Sequence, residues 1–456
     1  MKHYQPLLLA CLLVMPLSAL AVDTDLDGVP DPIDPAPNNI LITGYQPPWL
    51  NTFNGDSVQD WFGYSVSGAG DVNNDGYDDV IVGAARDDNN GTDSGSAWVL
   101  SGANGAILYT FNGDTAGDYF GESVSGAGDV NADGYADVIV GARSDDNNGT
   151  NSGSARVLSG ANGAILYVFN GDSSGDEFGT SVSDVGDVNN DGYDDVIVGA
   201  HGDDNNGSNS GSARVLSGAN GAILYTFDGD SAADWFGESV SGAGDVNNDG
   251  YADVIVGAFQ DDNSGNSSGS ARVLSGANGA ILYTFNGDTA GDYFGESVSG
   301  AGDVNADGYA DVIVGARSDD NNGTDSGSAR VLSGANGTIL YTFNGDSTGD
   351  YFGKSVSGAG DVNNDGYDDV IVGVYWDDNN GAGSGSARVL SGANGAILYT
   401  FNGDSTGDEF GWSVSGAGDV NNDGYADVIV GAFLDANNGK ADSGSARVFS
   451  GAMLLQ

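Results

Sequence analysis

A 58-residue period organises almost the whole of this chain. A Phe-Gly pair at residues 62–63 returns six more times at steps of 58 residues, ending at residues 410–411. Nine residues after each Phe, an Asp begins the pattern D-x-N-x-D-G-x-x-D. A fixed period of this length is typical of repeat proteins, in which each unit buries its apolar face against its neighbours. The period therefore outweighs the roughly three domains that a length of 456 residues would otherwise suggest.

Each repeat predicts four short β-strands, which in the first repeat are residues 64–70, 79–85, 96–101 and 106–111. The first strand is made of small residues, as crowding around a central axis requires. The second is a Val/Ile run that should be fully buried, and the third alternates like a half-exposed strand. The fourth carries the aromatic and β-branched residues of an outer edge. Seven such units predict an all-β fold, a seven-bladed β-propeller of four-stranded blades.

Both ends of the chain fit a closed ring. The last repeat stops after its third strand, at residues 445–450, while residues 49–53 align with the fourth strand of the first repeat. We therefore expect the N-terminal strand to complete the seventh blade and to leave no open sheet edge. The alternatives are a superhelical stack, which should carry atypical capping repeats, and disorder, which the apolar runs oppose. The pair Asp184-Val185, where other repeats have Gly-Ala, has no explanation in the sequence.

The N-terminal region predicts export. Residues 1–21 have the features of a secretory signal peptide that ends in Ala-Leu-Ala, and a lipoprotein signal through Cys11 is the alternative. Residues 22–39 form an acidic, Pro-rich linker that resembles one thrombospondin type 3 repeat, with Asp23, Asp25, Asp27 and Asp31 at the spacing of a calcium loop. Residues 40–456 are the propeller. We predict a secreted or cell-surface protein without a transmembrane segment, and a plain acidic linker is the alternative for residues 22–39.

The Asp-rich loop of each repeat predicts a Ca²⁺ site. Its positions 1, 3, 5 and 9 carry side-chain oxygens, position 7 offers a backbone carbonyl, and Gly at position 6 allows a sharp turn. It is not an EF-hand, because position 12 is Val82, within a strand. Position 8 alternates between Asp and Ala, so we do not expect it to be a ligand. The predicted ligands are Asp71, Asn73, Asp75, Tyr77, Asp79, Asp129, Asn131, Asp133, Tyr135, Asp137, Asp187, Asn189, Asp191, Tyr193, Asp195, Asp245, Asn247, Asp249, Tyr251, Asp253, Asp303, Asn305, Asp307, Tyr309, Asp311, Asp361, Asn363, Asp365, Tyr367, Asp369, Asp419, Asn421, Asp423, Tyr425 and Asp427.

The charge of the chain limits its partners. A formal net charge of −54 argues against nucleic acids and anionic membrane surfaces, and it favours cations. About seven Ca²⁺ ions in the blades, and one more in the linker, would neutralise only part of it. We expect the remaining acidic loops, such as Asp87-Asp88-Asn89-Asn90, to form a solvated rim, with weak ion binding as the alternative.

The combined motif resembles a known family. Phe-Gly, then Gly-Ala-Gly-Asp, the Asp loop and Val-Ile-Val-Gly-Ala are similar to the FG-GAP repeat of integrin α-chain propellers and their bacterial relatives, from residue 51 to the C-terminus. The resemblance implies a seven-bladed propeller with calcium loops on its lower face and ligand contacts on its upper face. The family's Gly-Ala-Pro is Gly-Ala-x here, as at residues 83–85.

The residue inventory argues against an enzyme. The one Cys lies in the leader, and His201 is the only His of the mature chain, so zinc sites of the Cys-His or multi-His type are excluded. A triad through His201 and a glycosidase with paired carboxylates remain alternatives. A recurring Arg, which Trp98 replaces in the first repeat, should pair with loop Asp residues rather than form an anion site. These residues are Arg156, Arg214, Arg272, Arg330, Arg388 and Arg447.

Function is expected where the repeats differ. Residues 99–150 and 273–324 are identical, yet the position before Phe-Gly and the position after Gly-Ala vary strongly. Exposed aromatic and Arg residues of this kind suit a binding surface opposite the calcium loops, and packing between blades is the alternative. We predict an adhesion or extracellular recognition module that is a monomer and binds an extracellular protein or glycan. A purely structural surface or matrix protein is the alternative. The ligand-face residues are Trp61, Tyr119, Trp235, Tyr293, Tyr351, Tyr375 and Trp376, with Glu177 and Glu409 before Phe-Gly and Arg86, Arg143, His201, Phe259, Arg317 and Phe433 after Gly-Ala.

Overall fold

The computed structural model describes residues 49–436 and 439–452, which form β-strands joined by short turns. In this part of the chain no helix is long and apolar enough to cross a membrane. The strands are β1 (Trp49–Asn54), β2 (Phe62–Gly70), β3 (Asp79–Ala84), β4 (Ser96–Leu100), β5 (Ile107–Asn112), β6 (Val124–Gly128), β7 (Asp137–Ala142), β8 (Ser154–Leu158), β9 (Ile165–Asn170), β10 (Ser181–Gly186), β11 (Asp195–Ala200), β12 (Ser212–Leu216), β13 (Ile223–Asp228), β14 (Ser239–Gly244), β15 (Asp253–Ala258), β16 (Ser270–Leu274), β17 (Ile281–Asn286), β18 (Phe294–Gly302), β19 (Asp311–Ala316), β20 (Ser328–Leu332), β21 (Ile339–Asn344), β22 (Val356–Gly360), β23 (Asp369–Val374), β24 (Ser386–Leu390), β25 (Ile397–Asn402), β26 (Ser413–Gly418), β27 (Asp427–Ala432) and β28 (Ser445–Phe449).

These strands form seven antiparallel sheets of four strands each, the blades of a β-propeller. Blade 1 is β2–β5, and blades 2 to 6 follow in chain order up to β25. Blade 7 consists of β26, β27 and β28, with β1 as its outer strand. The register pairs Phe53 with Ala446, as Phe111 pairs with Ala97 in blade 1. The predicted fold class is confirmed, and β1 holds the place that the alignment of residues 49–53 predicts.

A ring of seven hydrogen bonds joins the inner strands of adjacent blades. In each blade a backbone N–H of a Val donates to the hydroxyl oxygen of a Ser in the preceding blade, over 3.0–3.1 Å. The bond from Val66 to Ser413 links the first blade to the seventh in the same way. The recurring Ser of the inner strand therefore connects blades, a role that its small size alone does not reveal.

Burial differs from the sequence prediction in one strand of each blade. The second strands are fully buried and the fourth strands are largely exposed, as predicted. The third strands are not half exposed: all residues of β8, for example, are buried, and only Trp98 of β4 is partly exposed. The reason is that the polar residues of this strand find partners inside the protein. Arg156 is 5% exposed, contacts Asp114 at 2.5 Å and lies over the ring of Phe120 at 5.1 Å.

Close approach of neighbouring blades explains the glycines of the repeated motif. The Phe-Gly glycine Gly121 has φ of 90°, which favours Gly, and a Cβ there would overlap the carbonyl oxygen of Ser96 in the preceding blade. A Cβ on Gly83 of that blade would in turn overlap the carbonyl oxygen of Gly121. The seven hydrophobic clusters also lie between blades, and the Phe of each Phe-Gly pair is at most 1% exposed. The motif is therefore the packing surface between blades.

Candidate functional site

The Asp loop of each blade folds around its own carboxylates. In the first loop, the carboxylate of Asp71 accepts hydrogen bonds from the backbone N–H groups of Asp75 and Gly76, at 2.9 and 2.8 Å. Asp75 accepts one from the N–H of Tyr77 at 3.2 Å. Gly76 has φ of 88°, and Asn74, two residues earlier, also has a left-handed backbone with φ of 57°. Position 6 therefore needs Gly for its backbone angle, while the short polar side chain of Asn tolerates this region at position 4.

The last Asp of the loop is buried and connects three strands. Asp79 is 0% exposed, and its carboxylate accepts hydrogen bonds from the N–H groups of Val72 and Gly102, both at 3.0 Å. Gly102 follows the third strand, so this carboxylate ties the loop to the next turn of the blade. Burial raises the pKa of Asp79 to about 6, and the nearby carboxylates of Asp75 and Asp71 add to the rise. Equivalent bonds recur in the other blades, and the pKa of Asp137 reaches about 7 for the same reasons.

The loop residues fit a hard cation in their chemistry. Each loop gathers three carboxylates and one Asn amide, the oxygen donors that Ca²⁺ prefers. In blade 6 the side-chain oxygen of Asn363, at position 3, is buried and has no hydrogen-bond partner in the described residues. Because each carboxylate is turned toward backbone N–H groups, the three do not approach within 4.8 Å of one another at any one point. The candidate ligands Asp23, Asp25, Asp27 and Asp31 lie outside the described residues.

Position 8 of the loop has a structural use that its variation does not suggest. Where it is Asp, its carboxylate accepts a hydrogen bond from the backbone N–H of position 1 in the preceding blade. The bonds run from Asp129 to Asp194, from Asp303 to Asp368 and from Asp419 to Asp78, at 2.7–2.8 Å. Asp residues at this position therefore connect neighbouring loops, and Ala at this position in the other blades lacks this bond.

The acidic loops between the second and third strands of the blades, such as residues 87–90, are only partly exposed to solvent. Asp87 is 3% exposed and accepts hydrogen bonds from the N–H of Asn89 and the hydroxyl of Ser96, so the predicted rim is wrong for the first Asp of each such loop. The recurring Arg pairs with loop Asp residues, as predicted: Arg272 contacts Asp230, in the connection between β13 and β14, at 2.6 Å, and Arg388 also lies 3.6 Å from Asp377 of the acidic loop in its own blade. In the first blade, Trp98 takes the place of this Arg and packs edge-on against Phe62 at 5.3 Å.

Asp184, the exception in the third repeat, lies in the axial channel on the side of the calcium loops. It lines a cavity of about 570 Å³ whose other walls are Gly, Ala, Ser and Val residues of blades 1 to 4. Its carboxylate accepts a hydrogen bond from the N–H of Gly186 at 3.1 Å. Burial raises the pKa of this carboxyl to about 7. The hydrogen bond from the N–H of Gly186 gives this carboxylate a partner within its own strand.

The varying residues of the sequence meet at the opposite end of the channel. We call this end the upper mouth; it is a cavity of about 230 Å³ lined by the residue that follows each Phe-Gly pair and by neighbouring Ser and Arg side chains. Those seven lining residues are Tyr64, Glu122, Thr180, Glu238, Glu296, Lys354 and Trp412. They differ between blades, so a comparison of the repeats could have identified them. The sequence prediction covers only the positions before Phe-Gly and after Gly-Ala.

One half of the upper mouth is aromatic. Trp412 lies 5.6 Å from Tyr64, 4.9 Å from Phe433 and 5.1 Å from Tyr375, measured between ring centroids. Trp61 stacks on Tyr64 at 5.7 Å. Phe433 and Tyr375 are buried, at 6% and 8% exposure. For these two residues the alternative prediction, packing between blades, is therefore the correct one. Trp376 is 42% exposed and lies beside Tyr375, outside the lining of the cavity.

The other half of the upper mouth is a chain of ion pairs. Arg143 contacts Glu122 at 2.7 Å and Glu177 at 3.7 Å. His201 lies between Glu177 and Glu238, at 3.1 and 2.9 Å, and its ring stacks on Trp235 at 4.7 Å. Farther round, Glu296 contacts both Arg317 and Lys354 at 2.9 Å, and Arg317 lies over the ring of Tyr293 at 5.4 Å. The two halves make the mouth asymmetric although the blades are nearly identical.

The residues before Phe-Gly share an unusual backbone conformation. All seven have positive φ, between 52° and 57°, although none of them is Gly. Left-handed backbone at such bulky residues costs on the order of 1–3 kcal/mol each and is found mainly at functional sites. The members of this set are Trp61, Tyr119, Glu177, Trp235, Tyr293, Tyr351 and Glu409.

His201 predicts a pH dependence of stability. Burial alone would lower its pKa, but the hydrogen bonds to Glu177 and Glu238 outweigh burial and raise the pKa to about 9. The imidazolium therefore contributes stability below the ordinary pKa of about 6.5, and this contribution is lost as pH rises toward 9. Between pH 7.5 and 9 the free energy of unfolding should fall by about 1.4 kcal/mol per pH unit from this residue.

Chemical unfolding of the wild-type protein and His201→Gln at pH 7.5, 8.25 and 9, in saturating Ca²⁺, measures this slope. The variant should be less stable at pH 7.5 but lose less stability as pH rises. Equal slopes in the two proteins would show that His201 is not the titrating group.

Comparison with known proteins identifies the repeat. FG-GAP repeats match residues 62–100, 120–158, 178–216, 236–274, 294–332, 352–390 and 410–449, each from the Phe of Phe-Gly to the third strand. This chain belongs to the FG-GAP repeat family. It is similar to integrin alpha-V of Gallus gallus, with 34% identity over 215 residues, and to integrin alpha-5 of Xenopus laevis, with 31% over 213 residues. Each match covers 44% of this chain and 20% of the integrin.

A third relative is integrin alpha-11 of Homo sapiens, with 35% identity over 168 residues, which are 34% of this chain and 14% of that protein. The FG-GAP propeller therefore matches a fifth or less of the length of each of these relatives. The resemblance drawn from the Phe-Gly and Asp-loop motifs is confirmed at the level of the family and of the integrin alpha relatives.

Proposed function

We propose that this FG-GAP protein is an exported recognition module that binds an extracellular protein or glycan at its upper mouth, with Ca²⁺ as a structural cofactor. The observation that carries the proposal is the convergence of its variable residues. Blades that are nearly identical elsewhere differ in the residue after Phe-Gly, and all seven of these residues line one cavity, together with Arg143 from the position after Gly-Ala. Buried aromatic and Arg residues bordered by polar groups are typical of binding hot spots.

Calcium is proposed for the seven blade loops. The Asp residues at positions 1, 5 and 9, the Asn at position 3 and the carbonyl at position 7 would hold each ion. The ion would supply two positive charges to a loop with three carboxylates. Burial, with a smaller contribution from the carboxylates of Asp75 and Asp71, raises the pKa of Asp79, and a cation bound in the loop would offset this cost of keeping the carboxylate ionised. For residues 22–39 an additional ion remains a prediction.

Export and a non-enzymatic role complete the proposal. The features of residues 1–21 support secretion or display at the cell surface, and the large negative charge argues against nucleic acid as a partner. Both ring nitrogens of His201 contact carboxylates, and the hydroxyl that Nδ1 also contacts, at 3.0 Å, belongs to Thr180 rather than to a Ser, which does not support a Ser-His-Asp triad. The carboxylates Glu122 and Glu296 are ion-paired rather than poised as an acid and a base.

A binding screen tests the proposal. Full-length mature protein is applied to purified collagens, other matrix glycoproteins and glycan arrays in about 1 mM Ca²⁺. This concentration exceeds the dissociation constants of sensor-type sites, roughly 10⁻⁵ M or tighter. Trp235→Ala should weaken binding at least about tenfold, as expected for a hot-spot aromatic, and Tyr375→Ala should weaken it by removing the ring that packs against Trp412 at 5.1 Å. Tyr135→Ala, on the calcium-loop face, is the matched control and should bind normally. Binding that all three variants retain would place the ligand elsewhere, and no binding in the panel would favour a purely structural protein.

A further inference from the structure

The upper mouth is small and has two unlike walls. Its volume of about 230 Å³ equals that of roughly eight water molecules and lies below the size of typical drug pockets, so it fits one ring rather than an extended ligand. Trp412 and Tyr64 form one wall, and Glu296, Lys354 and Arg143 belong to the other. A ligand must therefore offer an apolar face to the rings and hydrogen-bonding groups to the charged side.

The charged groups of the ion-pair half of the mouth are already paired with one another. Four carboxylates, those of Glu122, Glu177, Glu238 and Glu296, contact four cations, which are Arg143, His201, Arg317 and Lys354. His201 counts as a cation at neutral pH because its pKa is raised to about 9 by the two carboxylates, against the effect of burial. A charged ligand would add an unpaired charge to this network. This pairing favours a neutral ligand in spite of the acidity of the whole chain.

The aromatic faces are also partly occupied by the protein's own cations. The Lys354 ammonium lies 4.8 Å from the Trp412 ring centroid, and the Arg86 guanidinium lies 3.6 Å from that of Trp61. A cationic ligand on these rings would approach a like charge. Apolar C–H groups can stack on the remaining aromatic surface without this repulsion.

Three buried carboxylate oxygens of the mouth make no hydrogen bond in the described residues; those of Glu122 and Glu238 still face Arg143 and His201, which leaves Oε2 of Glu296 as the acceptor that a ligand can satisfy. Glu296 is 9% exposed, and its Oε1 contacts Arg317 and Lys354. Its Oε2 is buried and makes no hydrogen bond within the described part of the chain. A buried carboxylate oxygen without a donor is unfavourable, and it marks the point where a ligand hydroxyl would be bound most strongly.

We propose that the upper mouth binds a single pyranose ring of a neutral glycan, stacked on Trp412 and donating a hydroxyl to Oε2 of Glu296. A pyranose has an apolar C–H face and a rim of hydroxyls that both donate and accept, which matches the two walls. The inference rests on the proposed recognition function and names its ligand class.

The test uses the full mature protein in Ca²⁺ and a set of methyl glycosides of neutral hexoses and N-acetylhexosamines, followed by saturation-transfer NMR and titration. N-acetylarginine amide and methyl sialoside serve as the cationic and anionic probes. At least one neutral glycoside should bind and quench Trp fluorescence. Trp412→Ala should weaken it at least about tenfold, and Glu296→Gln, which turns a charged acceptor into a neutral one, about tenfold.

Ile281→Ala is the control, because Ile281 is 56% exposed on the outer strand β17 and does not line the cavity, and this variant should bind the glycoside normally. Thermal unfolding of each variant shows whether it is folded. If the arginine or sialoside probe binds and no neutral glycoside does, the inference is wrong. A matrix protein that binds and loses affinity in Trp235→Ala, with no glycoside binding, would overturn the glycan inference while leaving the recognition function in place.

Discussion

Replacing Gly121 with Ala should lower the free energy of unfolding by roughly 3–5 kcal/mol, the sum of backbone strain and overpacking. The backbone of Gly121 has φ of 90°, a region that Ala adopts only with strain. In addition, the new methyl group would overlap the carbonyl oxygen of Ser96 and lie 2.9 Å from its carbonyl carbon. Both atoms belong to backbone of the neighbouring blade, which cannot move without separating the two blades.

Gly117→Ala is the matched control. Gly117 has nearly the same φ, 88°, but a Cβ there meets nothing within 4 Å, so only the backbone strain of about 1–2 kcal/mol should remain. Chemical unfolding of the two variants in saturating Ca²⁺ gives the difference, which isolates the steric contact between blades. Equal losses in both variants would show that packing at the Phe-Gly glycine is not limiting.

Removing calcium should lower the midpoint of thermal unfolding by well over 10 °C if the loops bind Ca²⁺ as proposed. Each site contributes about 2.7 kcal/mol when free Ca²⁺ is one hundred times its dissociation constant, and the repeats contain seven such loops. In its absence the carboxylate of Asp79 remains buried beside two other acids. The measurement is thermal unfolding in 1 mM EDTA and in excess Ca²⁺, so that free Ca²⁺ lies far below or far above the ~10⁻⁵ M dissociation constants of sensor-type sites. An unchanged midpoint would count against a structural ion.

The first loop also offers a test by stoichiometry. Asp71→Ala removes a proposed ligand, whereas Asp78→Ala changes position 8, which is Ala in four other loops. Equilibrium dialysis should find one bound ion fewer in Asp71→Ala and no change in Asp78→Ala. Loss of an ion in both variants would make position 8 part of the site. Asp78→Ala should still lose some stability, because its bond to the N–H of Asp419 connects two loops.

Much of the fold could be predicted from the repeat. The spacing fixes the number of blades, the Val/Ile runs fix the buried strands, and the recurring Arg pairs with loop Asp residues as expected. The prediction that the third strand is half exposed is wrong. Alternation in the sequence does not show that Arg156 and its equivalents are buried in contact with acidic residues. The acidic rim is wrong for Asp87 because its carboxylate binds Asn89 and Ser96, contacts that depend on the folded turn.

Less of the candidate site could be predicted. The sequence indicated that variable positions matter, and it predicted Trp61, Trp235 and Tyr375, none of which lines the cavity itself. The sequence prediction does not include Glu296 and Trp412, which line the cavity, because they follow the Phe-Gly pair and the prediction covers only the positions before that pair and after Gly-Ala. Nor could a pattern of letters show the left-handed backbone before each Phe-Gly pair, because bulky residues rarely adopt it.

By itself, the sequence determined the number of blades, the strand order and the position of each Asp loop, because these depend on short-range patterns that every repeat contains. The tertiary structure alone decided what each blade contributes to the mouth. Residues 99–150 and 273–324 are identical, and in both copies the Glu after Phe-Gly pairs with the Arg of its own repeat, Glu122 with Arg143 and Glu296 with Arg317. The further contacts differ: Arg143 also faces Glu177 of the next repeat, whereas Glu296 also contacts Lys354 of the next repeat. The physical reason is that these side chains lie at the boundary between blades, so the second partner of each is set by the neighbouring repeat and not by its own.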